Sequence, residues 1–175
     1  MKFGIIWNLS RTGTFEETLK SYIMGAQEAE RLGFDSLFVS DHVTGRCDTW
    51  TLLSYLAAKT TSIRLGTGVT PIPRYVPTIL ARKIASVDQL SKGRVIAGFG
   101  AGWSPLEFRN FAPGGVYDFP RERIEKATEG LRLMIKLWTQ PRNVTFRGKY
   151  YFGDASRTSA QAGAETSTAS LVRGS

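Results

Sequence analysis

Asp41-His42 is the pair of residues in this sequence with the clearest chemical use. It closes the apolar run Ser36-Leu37-Phe38-Val39-Ser40. An imidazole donates or accepts a proton near neutral pH, and an adjacent carboxylate sets its orientation. At the C-terminal end of a strand in a β/α protein, such a pair stands where active sites are built. The competing reading is a loop histidine making a structural hydrogen bond. His42 is the sole histidine and Cys47 the sole cysteine, so the sequence supports neither a multi-histidine metal site nor an intrachain disulfide.

Two further segments place unusual backbone at strand ends. Gly66-Thr67-Gly68-Val69-Thr70 carries two glycines where a strand should end, which implies a bulge or a close backbone approach. Gly98-Phe99-Gly100-Ala101-Gly102 has the look of a dinucleotide fingerprint. However, Ser104-Pro105 and a glycine-rich loop follow it rather than the immediate helix that would hold a pyrophosphate. The alternative is a strand end at which the backbone comes close to something, here read as a flat cofactor. Beyond it, Trp103, Phe108, Phe111, Tyr117 and Phe119 either line a pocket or pack on the rim of the fold.

The elements that must position these residues alternate between short β-rich runs and amphipathic helical stretches. Phe3 to Trp7 reads as a buried strand. Thr14 and Glu17 form a capping box for a helix whose apolar face is Leu19, Tyr22, Ile23, Ala26, Ala29 and Leu32, with Gly33 as its stop. Strand 36–40 is followed by a helix capped by Asp48 and carrying Trp50, Leu53, Leu56 and Ala57. Strand 63–69 leads into a helix opened by Pro77, with Leu80, Ile84, Val87 and Leu90 on its inner face. Strand 94–100 precedes a long loop, 101–119. Pro120 then opens a fourth helix burying Ile124, Ala127, Leu131, Met134 or Ile135, and Leu137. After Pro141, residues 144–146 and 150–152 suggest a hairpin. Four β/α units in a row point to a parallel sheet with helical crossovers, closed as a barrel or open as a doubly wound sheet.

Composition removes several function classes. The chain has 175 residues, with 42% hydrophobic and 22% charged, which is ordinary for one globular domain. No apolar run approaches the roughly 20 residues needed to cross a bilayer, and the start lacks a signal-peptide pattern, so a cytoplasmic location without membrane partners is expected. The formal charge of +8 is spread along the chain without a dense basic block. That favours an anionic cofactor over nucleic acid as the partner.

Taken jointly, the segments Phe38 to His42, Leu65 to Pro71 and Leu90 to Trp103 resemble the luciferase-like monooxygenase superfamily. Within it, the resemblance is to coenzyme F420-dependent enzymes related to methylenetetrahydromethanopterin reductase. The stretch from Phe119 to Thr139 is similar to the family's fourth helix, and the hairpin to its insertion. The resemblance implies a TIM barrel binding F420, or alternatively FMN, at the C-terminal strand ends. It implies oxidoreductase chemistry on a small organic substrate, by hydride transfer with F420 and with monooxygenation open to FMN. It further implies that Asp41, His42, Thr67, Gly68, Val69, Gly100, Ala101 and Gly102 face the cofactor, with His42 as the catalytic residue. A non-proline cis peptide is implied at Gly68-Val69.

Residues 1–153 are on this reading the N-terminal half of a (β/α)₈ barrel, ending after four units. A half barrel leaves exposed strand edges, so pairing of two copies, a homo-oligomer, is expected. The alternative is a non-catalytic half barrel stabilised by self-association. Residues 154–175 are rich in Ser, Thr, Ala and Gly and end in a thrombin-site-like Ser170 to Ser175. They are expected to be a disordered tail of vector or engineered origin.

Overall fold

The computed structural model describes residues 1–8, 13–140 and 144–154; Pro141 and the tail beyond 154 lie outside them. The fold is α/β. Strands β1 (Gly4–Ile6), β2 (Ser36–Val39), β3 (Arg64–Pro71) and β4 (Val95–Gly100) form one sheet in the order β1-β2-β3-β4. β1 pairs with β2, and β2 with β3, in parallel. Spatial order repeats chain order, without the reversal that defines a doubly wound sheet. The open flavodoxin-like alternative is thereby excluded, and the arrangement is that of successive barrel units. Five helices connect or follow the strands: α1 (Phe15–Arg31), α2 (Thr49–Lys59), α3 (Pro77–Leu90), α4 (Pro105–Phe111) and α5 (Pro120–Thr139). β5 (Thr145–Arg147) and β6 (Phe152–Asp154) make an antiparallel hairpin. The chain divides into two compact units, residues 1–70 with 87–98, and Pro71–Ser86 with the described residues from Phe99 onward.

Local signals account for most boundaries. The Thr14 hydroxyl accepts from the Glu17 amide, and the Glu17 carboxylate accepts from the Thr14 amide at 2.7 Å, completing the capping box. The Asp48 carboxylate accepts from the Thr51 amide at the start of α2. Trp50, Leu53 and Leu56 of α2 are fully buried, as are Leu37 of β2 and Leu65 of β3. Gly66 and Gly98 allow β3 and β4 to lie close: a Cβ on Gly66 would strike the Ile96 carbonyl, and one on Gly98 the Thr67 carbonyl.

Several expectations are corrected. β1 is not a buried strand; Phe3 and Ile6 are exposed, because β1 has β2 as its neighbour on one side only. Leu32 and Leu90 are also exposed. Each sits at the end of its helix, and just past α3 the inward place goes to the fully buried Ser91. The α5 face is rotated: Arg123, Gly130, Leu133 and Met134 are buried, while Ile124 is exposed. The expected loop 101–119 contains α4, started by Ser104, whose hydroxyl accepts from the Glu107 amide. Ser-Pro-x-Glu is an N-terminal helix signature.

The turn that feeds β3 is held from both sides by charge. The Glu30 carboxylate, on α1, accepts from the amides of Thr61, Ser62 and Ile63 and from the Ser62 hydroxyl. The Arg94 guanidinium donates to the carbonyls of Ala57, Thr60, Ile63 and Ser91 and to the Thr60 hydroxyl. Burial pushes the Glu30 carboxyl up, but the amides of Ser62, Ile63 and Thr61 outweigh it and hold the group at about 2. Because the folded value lies below the unfolded one, the stabilisation is present above pH about 4.5 and is lost as pH falls toward 2.

Glu30→Gln is therefore expected to cost about 1–2 kcal/mol at pH 7, with the gap to the parent narrowing between pH about 4.5 and 2. Urea unfolding at pH 7 and at pH 3 checks this, and an equal gap at both would contradict it. Arg94→Lys keeps the charge but loses the planar fork. It should destabilise by about 1–3 kcal/mol through carbonyls left without donors, read as a lowered urea midpoint at unchanged slope.

Candidate functional site

The end of β2 is built around Ser40. Its amide donates to the Asn8 side-chain oxygen at 3.1 Å, its carbonyl accepts from the Thr49 hydroxyl at 3.1 Å, and its own hydroxyl donates to the Gly68 carbonyl at 3.3 Å. Asp41 follows as a buried residue and His42 as a half-buried one. The His42 carbonyl accepts from the Gly45 amide, which turns the chain toward α2. The predicted pair thus stands at the C-terminal end of β2, where the parallel fold puts reactive groups.

At the end of β3 the predicted residues separate into different roles. Thr67 is buried, and its hydroxyl donates to the Gly98 carbonyl at 2.9 Å, so that group is engaged in joining β3 to β4. The peptide bond between Gly68 and Val69 is cis, at the position the resemblance assigns. A Cβ on Gly68 would meet only ordinary contacts, 3.5 Å from Phe38, so close approach explains Gly66 and not Gly68. Val69 presents a side chain that is 48% exposed.

The third predicted group lies in the second unit. Gly100 ends β4, and Ala101 and Gly102 are half-buried. Two glycines of this segment are closely approached by protein atoms. Gly98 meets the Thr67 carbonyl, and a Cβ on Gly102 would lie 2.5 Å from the Phe108 ring. Gly102 has φ +76°, a left-handed conformation that favours glycine. Arg123 fixes this loop: it donates to the Gly102 carbonyl at 3.1 Å and the Asp118 carbonyl at 2.6 Å, and lies 4.3 Å over the Tyr117 ring. Phe108 is buried and meets Tyr117 edge to face, whereas Trp103, Phe111 and Phe119 are exposed.

A cavity of about 240 Å³ opens beside His42 in the first unit. Asn8, Thr18 and Tyr22, Val39 and Ser40, and, from the stretch that leads into α2, His42, Gly45, Arg46, Cys47, Thr49 and Leu52 form its wall. It brings His42 together with residues of β2, α1 and α2, but its wall does not include Asp41, Thr67, Gly68 or Val69. Burial, and secondarily Asp48, push the Cys47 thiol up, so it is a weak nucleophile there. Sequence reasoning missed Ser40, Tyr22 and Arg46 as members of this wall. Thr18 and Tyr22 are four apart on one helix face, and Ser40 directly precedes the Asp-His pair; those were the available signals.

Comparison with known proteins places these features. A curated relative is the F420-dependent glucose-6-phosphate dehydrogenase of Kineococcus radiotolerans, 39% identical over 136 residues, covering 72% of this chain and 39% of the relative. Another is the 5,10-methylenetetrahydromethanopterin reductase of Archaeoglobus fulgidus, 31% identical over 153 residues, covering 86% of this chain and 41% of the relative. Among solved structures, the oxygenating constituent of 3,6-diketocamphane monooxygenase of Pseudomonas putida, in complex with FMN, superposes with a TM-score of 0.77 at 24% identity. It covers 88% of this chain and 43% of its own, and that likeness is one of fold. The chain spans about two fifths of the length of the curated relatives it matches. Residues 1–167 match the luciferase-like monooxygenase family, and the chain belongs to that family.

Proposed function

We propose that the protein to which this chain belongs is a coenzyme F420-dependent oxidoreductase acting on a small organic substrate, with FMN as the alternative cofactor. One observation carries the reading. The sole histidine lines a cavity at the C-terminal end of β2, in a chain 39% identical to an F420-dependent dehydrogenase. The cofactor, when bound, supplies two-electron hydride chemistry.

The residues present fit such a group. Gly68 carries no side chain and the Val69 side chain is half exposed, giving a small apolar surface at the end of β3 for a flat ring. Asp41, His42, Gly68 and Val69 are proposed to hold the cofactor ring, with Thr67 acting through its backbone because its hydroxyl is engaged. Gly100, Ala101 and Gly102 are proposed as cofactor-facing on the family resemblance. His42 is proposed to exchange a proton with the substrate, or to hold it by a hydrogen bond, from the cavity wall.

The reading with no catalysis, a self-associated half barrel, is favoured by exposed Phe3 and Ile6 on the edge strand β1. Fluorescence titration of the 175-residue chain with F420 and, separately, with FMN decides between the two. Saturable F420 binding tighter than FMN binding is expected. Binding of neither, with a dimer or larger species in sedimentation, would favour the non-catalytic reading for this chain. In the whole protein, His42→Ala should lower kcat by about 10²-fold or more with an unfolding midpoint close to the parent's. Unchanged turnover would remove His42 from the chemistry.

A further inference from the structure

Sheet pairing between β2 and β3 ends at Val39 opposite Thr67, and pairing between β1 and β2 ends at Ile6 opposite Phe38. One step further on, both ladders are continued by side chains. The Trp7 amide still reaches the Phe38 carbonyl at 2.8 Å, and then the Asn8 side-chain oxygen takes the Ser40 amide. On the other side the Ser40 hydroxyl takes the place of a backbone donor and reaches the Gly68 carbonyl. The Ser40 carbonyl is occupied by the Thr49 hydroxyl, at the first residue of α2. All three polar groups of Ser40 are thereby directed, each to a different element.

We infer that Ser40 is a positioning residue: its three bonds set the direction in which Asp41-His42 leave β2 and the place of the Gly68 carbonyl at the end of β3. The claim about function rests on the proposed cofactor site, whereas the claim about position does not. Two of the three bonds use backbone atoms of Ser40 and are available to any residue there but proline. Removing the hydroxyl breaks only the link to Gly68, which lies beyond the last paired residues, so sheet register is untouched. The segment from Asp41 to Asp48 would then lose the tie to β3 that runs through the Ser40 hydroxyl.

Cys47, the single cysteine of the chain, lies half-buried in that segment and in the cavity wall. It therefore reports the segment's position without reference to any cofactor. The experiment compares the parent chain, Ser40→Ala and Ser40→Thr by the rate of Cys47 labelling with an aromatic disulfide, by urea midpoint, and by F420 titration. Ser40→Ala is expected to label about fivefold faster and to bind F420 about two- to tenfold more weakly, the range of one net hydrogen bond. Its urea midpoint should lie close to the parent's. Ser40→Thr, which keeps a hydroxyl, should restore both rate and affinity. Should Ser40→Ala fail to fold, Asn8→Ala removes the acceptor on the other side and should speed labelling likewise.

Unchanged labelling in the alanine variant would overturn the positioning role, even if affinity falls, because the hydroxyl would then act on the ligand itself. Faster labelling that threonine fails to reverse would also overturn it. Faster labelling reversed by threonine, in a chain that binds neither F420 nor FMN, would uphold the positioning role and sink the cofactor reading alone.

Discussion

The backbone of the turn before β3 has its donors and acceptors satisfied by two opposite charges, and much of the first unit follows from that. Where a helix ends and a strand begins, carbonyls point one way and amides another, and neither set has partners within its own element. Here Arg94 takes the carbonyls of Ala57, Thr60 and Ile63, and Glu30 takes the amides of Thr61 to Ile63. The two side chains come from different parts of the chain, α1 and the start of β4. Their convergence on one turn therefore fixes α1, α2, β3 and β4 to each other at the N-terminal end of the sheet. Placing both charges in this way costs desolvation, visible in the downward push that burial gives Arg94, and the hydrogen bonds offset it.

With β3 anchored at its start, the arrangement at its far end can be served by weaker, more local contacts. Thr67 reaches Gly98 between β3 and β4, and Ser40 reaches Gly68 just beyond the last β2–β3 pair. This division suits a parallel β/α fold, where one end of the sheet serves stability and the other holds the groups that act. The charge-assisted clamps of Glu30 and Arg94 stand at the first end. Single neutral hydrogen bonds from hydroxyls hold the carbonyls of Ser40, Gly68 and Gly98 at the second end.

Legibility in the sequence followed the range over which each signal acts. The capping box at Thr14 and Glu17, the Asp48 cap and the proline starts at Pro77 and Pro120 are contained within one helical turn, and all four appear in the structure. The exposure of Phe3 and Ile6 depends on which strand lies at the edge, which no local pattern encodes. The α5 face differs from the apolar pattern because Arg123, a charged residue, turns inward. Its guanidinium finds two carbonyls and an aromatic face inside, and a charged side chain so supplied is buried at Ile124's expense. α4 was legible in Ser104-Pro105 and Glu107, but the glycines and aromatics around it drew the reading toward loop.

The glycines carry the sharpest lesson about the site. Doubling of glycine at strand ends reads from sequence as a bulge or a close backbone approach, and Gly66 and Gly98 are small because β3 and β4 crowd each other, and Gly102 because Phe108 lies against it. Of Gly66, Gly68, Gly98 and Gly102, Gly68 alone has room for a Cβ, so its lack of a side chain is not forced by the protein around it. Gly68 thus stands where the fold would tolerate a larger residue, next to a half-exposed Val69 and with its carbonyl held by Ser40.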